Sequence, residues 1–136
     1  MTSQNRKRSI EDSLARAAEA LRAAEALLGL GLHPDAVSRA YYAAYHHVRA
    51  LLFARGLEPK THQGAIHLFN VEFVREGLFP TSANRVLSGM QRARELCDYD
   101  AAVTFSGDDA RAEVEAAQAF GASVRAWLAA NPLREP

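Results

Sequence analysis

Apolar residues recur three and four positions apart along almost the whole 136-residue chain, and this helical spacing limits what the chain can fold into. The clearest stripe occupies one face of a predicted first helix from about Ser9 to Leu30. Its members are Ile10, Leu14, Ala17, Leu21, Ala24 and Leu28. No segment of useful length alternates apolar and polar residues as a half-buried strand does. The pattern therefore predicts an all-α protein.

Glycine and proline mark where the second helix begins and ends. Gly29 and Gly31 are typical of a helix C-terminus, and Pro34 suits the first turn of a helix that runs to Arg55. The predicted inner stripe of this helix again has helical spacing. It consists of Val37, Tyr41, Ala44, Val48 and Leu51.

Three further helical segments follow. Thr61 is a predicted N-cap for a third helix, which is expected to bend into a further turn before Gly77. Pro80 opens a fourth helix, and Ser106 with Asp109 resembles a capping box at the start of the last one. These segments predict an antiparallel four-helix bundle with an additional short helix.

The length fits one domain. We expect residues 9–131 to form a single helical domain, residues 1–8 a disordered basic N-terminus, and residues 132–136 a tail. With only Cys97 no internal disulfide can form, which favours a cytoplasmic location. The polar N-terminus does not resemble a signal peptide, and no apolar run is long enough to predict a membrane span.

The net charge is zero, which argues against nucleic-acid binding, but the charges are unevenly distributed. Residues 36–94 carry eight basic and three acidic side chains, whereas residues 95–136 carry three basic and eight acidic ones. The basic middle either forms a patch that attracts phosphate or is neutralised by packing against the acidic part. The sequence leaves both interpretations open.

Arg39 and His46 are seven positions apart on the second helix, so they leave nearly the same face, about 10 Å apart along the axis. Arginine holds phosphate well, and histidine moves protons near neutral pH, so the pair suits chemistry on a phosphodiester. Both are predicted to face away from the core, beside Ala43 and Ala50, whose small side chains would let a second copy come close. The alternative is an ordinary exposed arginine and histidine without function.

Residues 38–46 (SRAYYAAYH) resemble a phrase of the HEPN domain family, the higher eukaryotes and prokaryotes nucleotide-binding domains. Residues 61–64 (THQG) are similar to the family's "sHxG" at the start of its third helix, and residues 69–77 to its "F…FV…G" segment. Residues 94–100 (RELCDYD) resemble its "RxxADYD". The resemblance covers about residues 10–130.

This resemblance implies a HEPN-like helical bundle that forms a homodimer, in which two copies line one composite cleft. It also implies a metal-independent endoribonuclease, of the toxin-like branch often paired with an MNT-type nucleotidyltransferase antitoxin. Carried over by position, Arg39 and His46 are the catalytic pair, and no cofactor is implied. Two positions depart from the pattern. Ala40 stands where catalytic members often have a polar residue, and Val48 stands where one toxin branch has a tyrosine that the partner modifies.

The expected reaction is attack of an RNA 2′-hydroxyl on its own phosphodiester, which leaves a 2′,3′-cyclic phosphate and a 5′-hydroxyl. His46 would act as general base or acid, and Arg39 would stabilise negative charge on the phosphoryl oxygens. Tyr42 would stack on a base or hydrogen-bond the phosphate.

Three further residues are supporting candidates. His47 follows His46 but lies about 80° from Arg39 around the helix. Asp98 and Tyr99 either serve the cleft or pack the fourth helix against the second. A metal site is not predicted.

Two competing functions remain. The first is a non-catalytic HEPN module that binds nucleotide or docks a nucleotidyltransferase, which the neutral charge and Ala40 favour. The second is a helical dimer with no ligand, in which Arg39 and His46 can be replaced without consequence.

Overall fold

The computed structural model describes residues 2–99 and 105–133, and these residues form helices without a strand. In chain order the helices are α1 (Ser3–Gly29), α2 (His33–Ala54), α3 (His62–Phe69), α4 (Thr81–Tyr99) and α5 (Gly107–Ala130). A π-helical turn, Asn70–Val74, continues directly from α3. The all-α prediction is confirmed, with four long helices and one short one.

Side-chain caps set the starts of α3 and α5. The Thr61 hydroxyl accepts a hydrogen bond from the Gly64 amide at 2.8 Å, and the Ser106 hydroxyl accepts one from the Asp109 amide at 3.0 Å. A Cβ at position 64 would lie 2.8 Å from the Thr61 hydroxyl oxygen, so glycine is needed for this cap. The cap fixes where α3 begins, with His62 as its first residue.

The N-terminus differs from the prediction, because α1 begins at Ser3 and not near Ser9. The Arg6 guanidinium donates to the carbonyl oxygens of Phe53, at 3.2 Å, and of Ala54. Carbonyl oxygens at a helix C-terminus lack hydrogen-bond donors within the helix. The Arg6 guanidinium supplies donors to two of them at the end of α2 and thereby holds the first turns of α1 against this end. The expected disorder of residues 1–8 is therefore wrong for residues 3–8. Residues 134–136 of the expected tail lie outside the described residues.

Helix α2 is the centre of the bundle and packs against the other four helices. Its predicted inner stripe is confirmed, because every member is at most 1% exposed. An aromatic cluster lies beside this stripe and joins α3, the π-helical turn, the loop before α4, and α5. Its members are Phe69, Phe73, Phe79 and Phe120, with neighbouring ring centroids 5.5–6.3 Å apart. Burial of each such ring contributes roughly 1.5–3 kcal/mol to folding.

The predicted alanine seam is not on the surface. Ala43 and Ala50 are fully buried, because α1 lies along α2 in the most extensive helix contact of the bundle. Ala17 and Ala24 of α1 are fully buried as well, and small side chains on both helices let the two backbones approach closely. The alanines therefore join two helices of one protomer, and they are no evidence for a second copy.

Candidate functional site

A groove of about 510 Å³ opens between α1, α2 and the start of α3. We call it the histidine groove, because His46 from α2 and His62 from α3 both line it. Charged and aromatic side chains form much of its wall. They include Asp12, Arg16, Tyr42, Tyr45, Arg49 and Glu58.

His46 is half-buried in the histidine groove, and its Nδ1 atom is buried without a hydrogen-bond partner among the described residues. Burial, followed by the positive charges of Arg16 and Arg49, lowers the pKa of His46 to about 4. The imidazole is therefore neutral at pH 7. A neutral imidazole accepts a proton, which is what a general base must do.

Arg39 is exposed and lies two turns before His46 on α2, outside the lining of the groove. Its guanidinium carbon lies 4.7 Å from the centroid of the Tyr42 ring, a cation–π distance. Tyr42 lines the groove, so it links Arg39 to the surface that holds His46. The structure thus places Arg39, Tyr42 and His46 on one continuous surface of α2.

His62 is the principal residue of this surface that the sequence analysis missed. Its ring stacks on Tyr45 with a centroid distance of 4.1 Å and an interplanar angle of 2°. Its Nδ1 atom lies 2.8 Å from the Tyr41 hydroxyl. In the sequence this histidine stands in the phrase THQG, which resembles the family's "sHxG", but the phrase by itself predicts no contact with Tyr45 or Tyr41.

Arg94 of α4 connects the aromatic residues to Asp98. Its guanidinium carbon lies 5.2 Å from the Tyr41 ring centroid and 5.7 Å from that of Tyr42. Its Nη1 atom donates to the Asp98 carboxylate at 2.9 Å. Asp98 therefore reaches the site through Arg94. Among residues 2–99 and 105–133 this is the one side-chain ion pair. It joins a basic residue of the segment 36–94 to an acidic residue of the C-terminal part.

His47 does not belong to this surface, which corrects its prediction as a supporting residue. It is 1% exposed, and it lies between α1 and α5 with its Nδ1–H donated to the Ala43 carbonyl at 2.8 Å. Burial lowers its pKa to about 4, while the hydrogen bond to Ala43 opposes the shift. His47 lies about 80° from Arg39 around α2. Its side chain therefore points towards α5.

Tyr99 is 85% exposed at the end of α4, and no contact within the described part of the chain joins it to the groove. Asp100 of the same sequence phrase lies outside the described residues. These two supporting candidates therefore differ. Asp98 is linked to the aromatic residues through Arg94, whereas Tyr99 has no such link among the described residues.

Residues 2–99 and 105–133 bring no three histidine, cysteine or carboxylate side chains together in a way that could hold a metal ion. None of the helices in the same ranges has the length and apolar character needed to cross a membrane.

Comparison with known proteins is consistent with this architecture. A family model described as the HEPN domain matches residues 10–127. A protein of Methanocaldococcus jannaschii named "Putative toxin MJ0605" is 41% identical over 83 residues, which cover 61% of this chain and 62% of that protein. The alignment thus spans less than two thirds of that relative.

Two further relatives align over a larger share. "Putative toxin MJ0142" of the same archaeon is 30% identical over 104 residues, or 76% of this chain and 71% of that protein. "UPF0332 protein glr0978" of Gloeobacter violaceus is 38% identical over 92 residues, or 68% of this chain and 73% of that protein.

Proposed function

Because the chain belongs to the HEPN domain family, we propose that it is a metal-independent endoribonuclease in which Arg39 and His46 are the catalytic pair. The observation that carries this proposal is the position of His46, a half-buried imidazole that lines an open groove together with Arg16 and Arg49. Arg39 and Tyr42 continue the same surface. The proposed reaction requires a 2′-hydroxyl, so RNA is the substrate and DNA is not.

His46 takes the proton of the 2′-hydroxyl as the oxygen attacks the neighbouring phosphorus. The imidazole is neutral at pH 7 and can accept this proton, although the lowered pKa makes it a weaker base than an ordinary histidine. The nearby cations Arg16 and Arg49 attract the RNA backbone to the same groove.

Arg39 stabilises the charge that develops on the phosphoryl oxygens. Its guanidinium is exposed, so it can reach a phosphate at the surface without first leaving a buried position. The face of the Tyr42 ring orients it. The helix rise separates its backbone from that of His46 by about 10 Å, a span that two long or aromatic side chains can close around one nucleotide.

The family's frequent polar residue after the arginine is replaced by Ala40, and this departure carries little weight against catalysis. Ala40 is fully buried among the core residues, so a side chain at this position contacts the core and not a substrate. Val48 is likewise 1% exposed, so modification at that position is not part of our proposal.

The test is cleavage of RNA by purified protein in EDTA, with products identified as 2′,3′-cyclic phosphates. We expect His46→Ala to lose about 10²–10⁴-fold in rate and Arg39→Ala about 10²–10³-fold. His67→Ala and Arg75→Ala are matched controls, because both positions are exposed outside the groove. Equal degradation by wild type and His46→Ala would contradict the assignment of His46 as a catalytic residue.

The names of the two archaeal relatives support a biological setting for this activity, namely a toxin with an antitoxin partner. We infer that the partner is a small nucleotidyltransferase of the MNT type. Expression of the chain alone should arrest growth, and co-expression of such a partner from the same genome or the change His46→Ala should relieve the arrest. Arrest that persists with His46→Ala would contradict a catalytic toxin.

One observation favours an alternative function, that of a non-catalytic HEPN module that docks a nucleotidyltransferase. The carboxylates of Asp12 and Glu58 line the same groove as His46, and they repel a polyanion. RNA binding measured at several salt concentrations separates the two candidates. A nuclease should bind RNA with a steep salt dependence, whereas the docking module should bind its protein partner and not RNA.

A further inference from the structure

Cleavage by 2′-hydroxyl attack needs two proton transfers. A base removes the proton of the 2′-hydroxyl, and an acid protonates the departing 5′-oxygen. The neutral His46 serves the first step, so a single protomer needs a second group for the other step. This requirement holds only if the chain is the ribonuclease proposed above.

His62 is the only other imidazole that lines the histidine groove among the described residues. The ring of Tyr45 lies between the two histidines, with its centroid 5.4 Å from that of His46 and 4.1 Å from that of His62. His46 comes from the middle of α2 and His62 from the start of α3, so the two imidazoles approach a bound nucleotide from different helices.

The contacts of His62 leave one ring nitrogen for a ligand. Its Nδ1 atom is engaged by the Tyr41 hydroxyl at 2.8 Å, which leaves Nε2. Tyr41 is fully buried, and burial raises the pKa of its phenol, so the hydroxyl keeps its proton. When His62 is protonated, its Nδ1–H donates to the Tyr41 oxygen and its Nε2–H remains available. The stack on Tyr45 and the Thr61 cap fix the direction of the ring.

We propose that His62 is the general acid of the reaction, acting with His46 as the base in the same protomer. The 2′-oxygen forms a bond to phosphorus as its proton passes to His46. The bond from phosphorus to the 5′-oxygen breaks, and that oxygen takes the Nε2 proton of His62. His46 ends protonated and His62 neutral, and proton exchange with water restores both.

The surrounding charges determine the pH dependence of this pair. Burial lowers the pKa of His62, and the positive charges of Arg94 and Arg49 add to the effect. Other groups face the two imidazoles from α1, α2 and the loop before α3. They are Asp12, Arg16, Tyr42, Tyr45 and Glu58.

The base must be neutral and the acid protonated, so activity requires a pH above the pKa of His46 and below that of His62. The wild-type kcat/KM should therefore fall as pH rises through the pKa of His62, which burial holds below the ordinary histidine value. A variant without the acid should lose this alkaline fall.

The deciding experiment compares two RNAs of one sequence, of which the second carries sulfur in place of the scissile 5′-oxygen. A thiolate leaves without being protonated, so the sulfur RNA needs no general acid. His62→Gln keeps a hydrogen-bonding group near Tyr41 but cannot donate a proton. We expect it to cut the normal RNA about 10²–10⁴-fold more slowly than wild type, yet to cut the sulfur RNA within about threefold of the wild-type rate.

The controls separate the possible failures. His46→Ala should be slow on both RNAs, His67→Ala should resemble wild type, and circular dichroism should show that each variant is folded. Equal loss on both RNAs in His62→Gln, or a rate like that of wild type, overturns the general-acid role while leaving the nuclease intact. A folded wild type that cuts neither RNA overturns the proposed nuclease itself.

Discussion

Gly121 of α5 lies directly against the imidazole of His47 on α2. A Cβ added at position 121 would come 2.6 Å from the His47 Cε1 atom and 2.9 Å from its Nε2. Contacts this short do not occur between unstrained atoms, and His47 cannot retreat easily because its Nδ1 is hydrogen-bonded to the Ala43 carbonyl. The packing of α5 on α2 therefore depends on the absence of a side chain at this position.

We predict that Gly121→Ala destabilises the protein by about 1–3 kcal/mol, the usual cost of overpacking a buried contact. Gly89→Ala is the matched control, because it is a helical glycine on α4 whose added Cβ would meet nothing within 4 Å. Since alanine is the better helix former, this change should be neutral or stabilise by up to about 1 kcal/mol. Urea unfolding of both variants measures the difference, and equal stability would contradict the close packing at Gly121.

The contact between His47 and Gly121 also illustrates what the sequence could not predict. Helical spacing correctly predicted the inner stripe of α2, and the hydroxyl at position 106 correctly predicted the cap of α5. These features depend on local sequence alone. The partner of His47 lies on another helix more than seventy positions away, and no local pattern encodes it.

The same reason explains the errors about the alanines and the N-terminus. Small residues on a helix face predict a close approach, but they do not show whether the approaching surface is α1 or a second copy. Likewise, the local sequence indicates only that Arg6 belongs to a polar, basic N-terminus. Its partners at the end of α2 are more than forty positions away, so no local pattern predicts the contact. The shared face of Arg39 and His46 could be predicted because one helix holds both, whereas the position of His62 beside them depends on its tertiary contacts with Tyr41 and Tyr45.

Stability should fall as pH is lowered from about 7 to about 4, and His47 should be a main cause. Its pKa is about 4 in the folded protein and near 6.5 when the chain unfolds, so in this range the unfolded state binds a proton that the folded state does not. The free energy of unfolding therefore rises with pH across this interval and is flat for this group outside it. For this fully buried group the difference is on the order of 3 kcal/mol.

Urea unfolding at pH 4.5, 5.5 and 7 checks this dependence. Replacing the imidazole with a side chain that does not titrate, as in His47→Gln, should make the pH dependence weaker, whatever its effect on stability at pH 7. His67→Ala is the control, because His67 is exposed. An unchanged pH dependence in His47→Gln would show that other groups cause the loss.

Asp98 and Tyr99 should differ in their effect on the groove although they are neighbours. Asp98→Asn removes the carboxylate that holds Arg94, whose guanidinium lies over Tyr41 and Tyr42. We expect RNA cleavage to fall up to about tenfold, while stability changes by less than about 0.5 kcal/mol, as is usual for an ion pair four residues apart near a helix surface. Tyr99→Ala should alter neither property. A larger effect of Tyr99→Ala on cleavage would reverse this assignment.

The composite cleft that the family resemblance implies can be tested by mixing two inactive variants. If two copies of the chain line one cleft, a heterodimer of Arg39→Ala and His46→Ala protomers contains one intact Arg39 and one intact His46 in that cleft. Cleavage should then recover towards a substantial fraction of the wild-type rate when the variants are mixed and allowed to exchange, whereas each alone stays inactive. Recovery requires a dimer, which sedimentation equilibrium at micromolar concentration detects. If the mixture is dimeric but inactive, each protomer must supply both residues to its own groove, and the composite cleft is wrong.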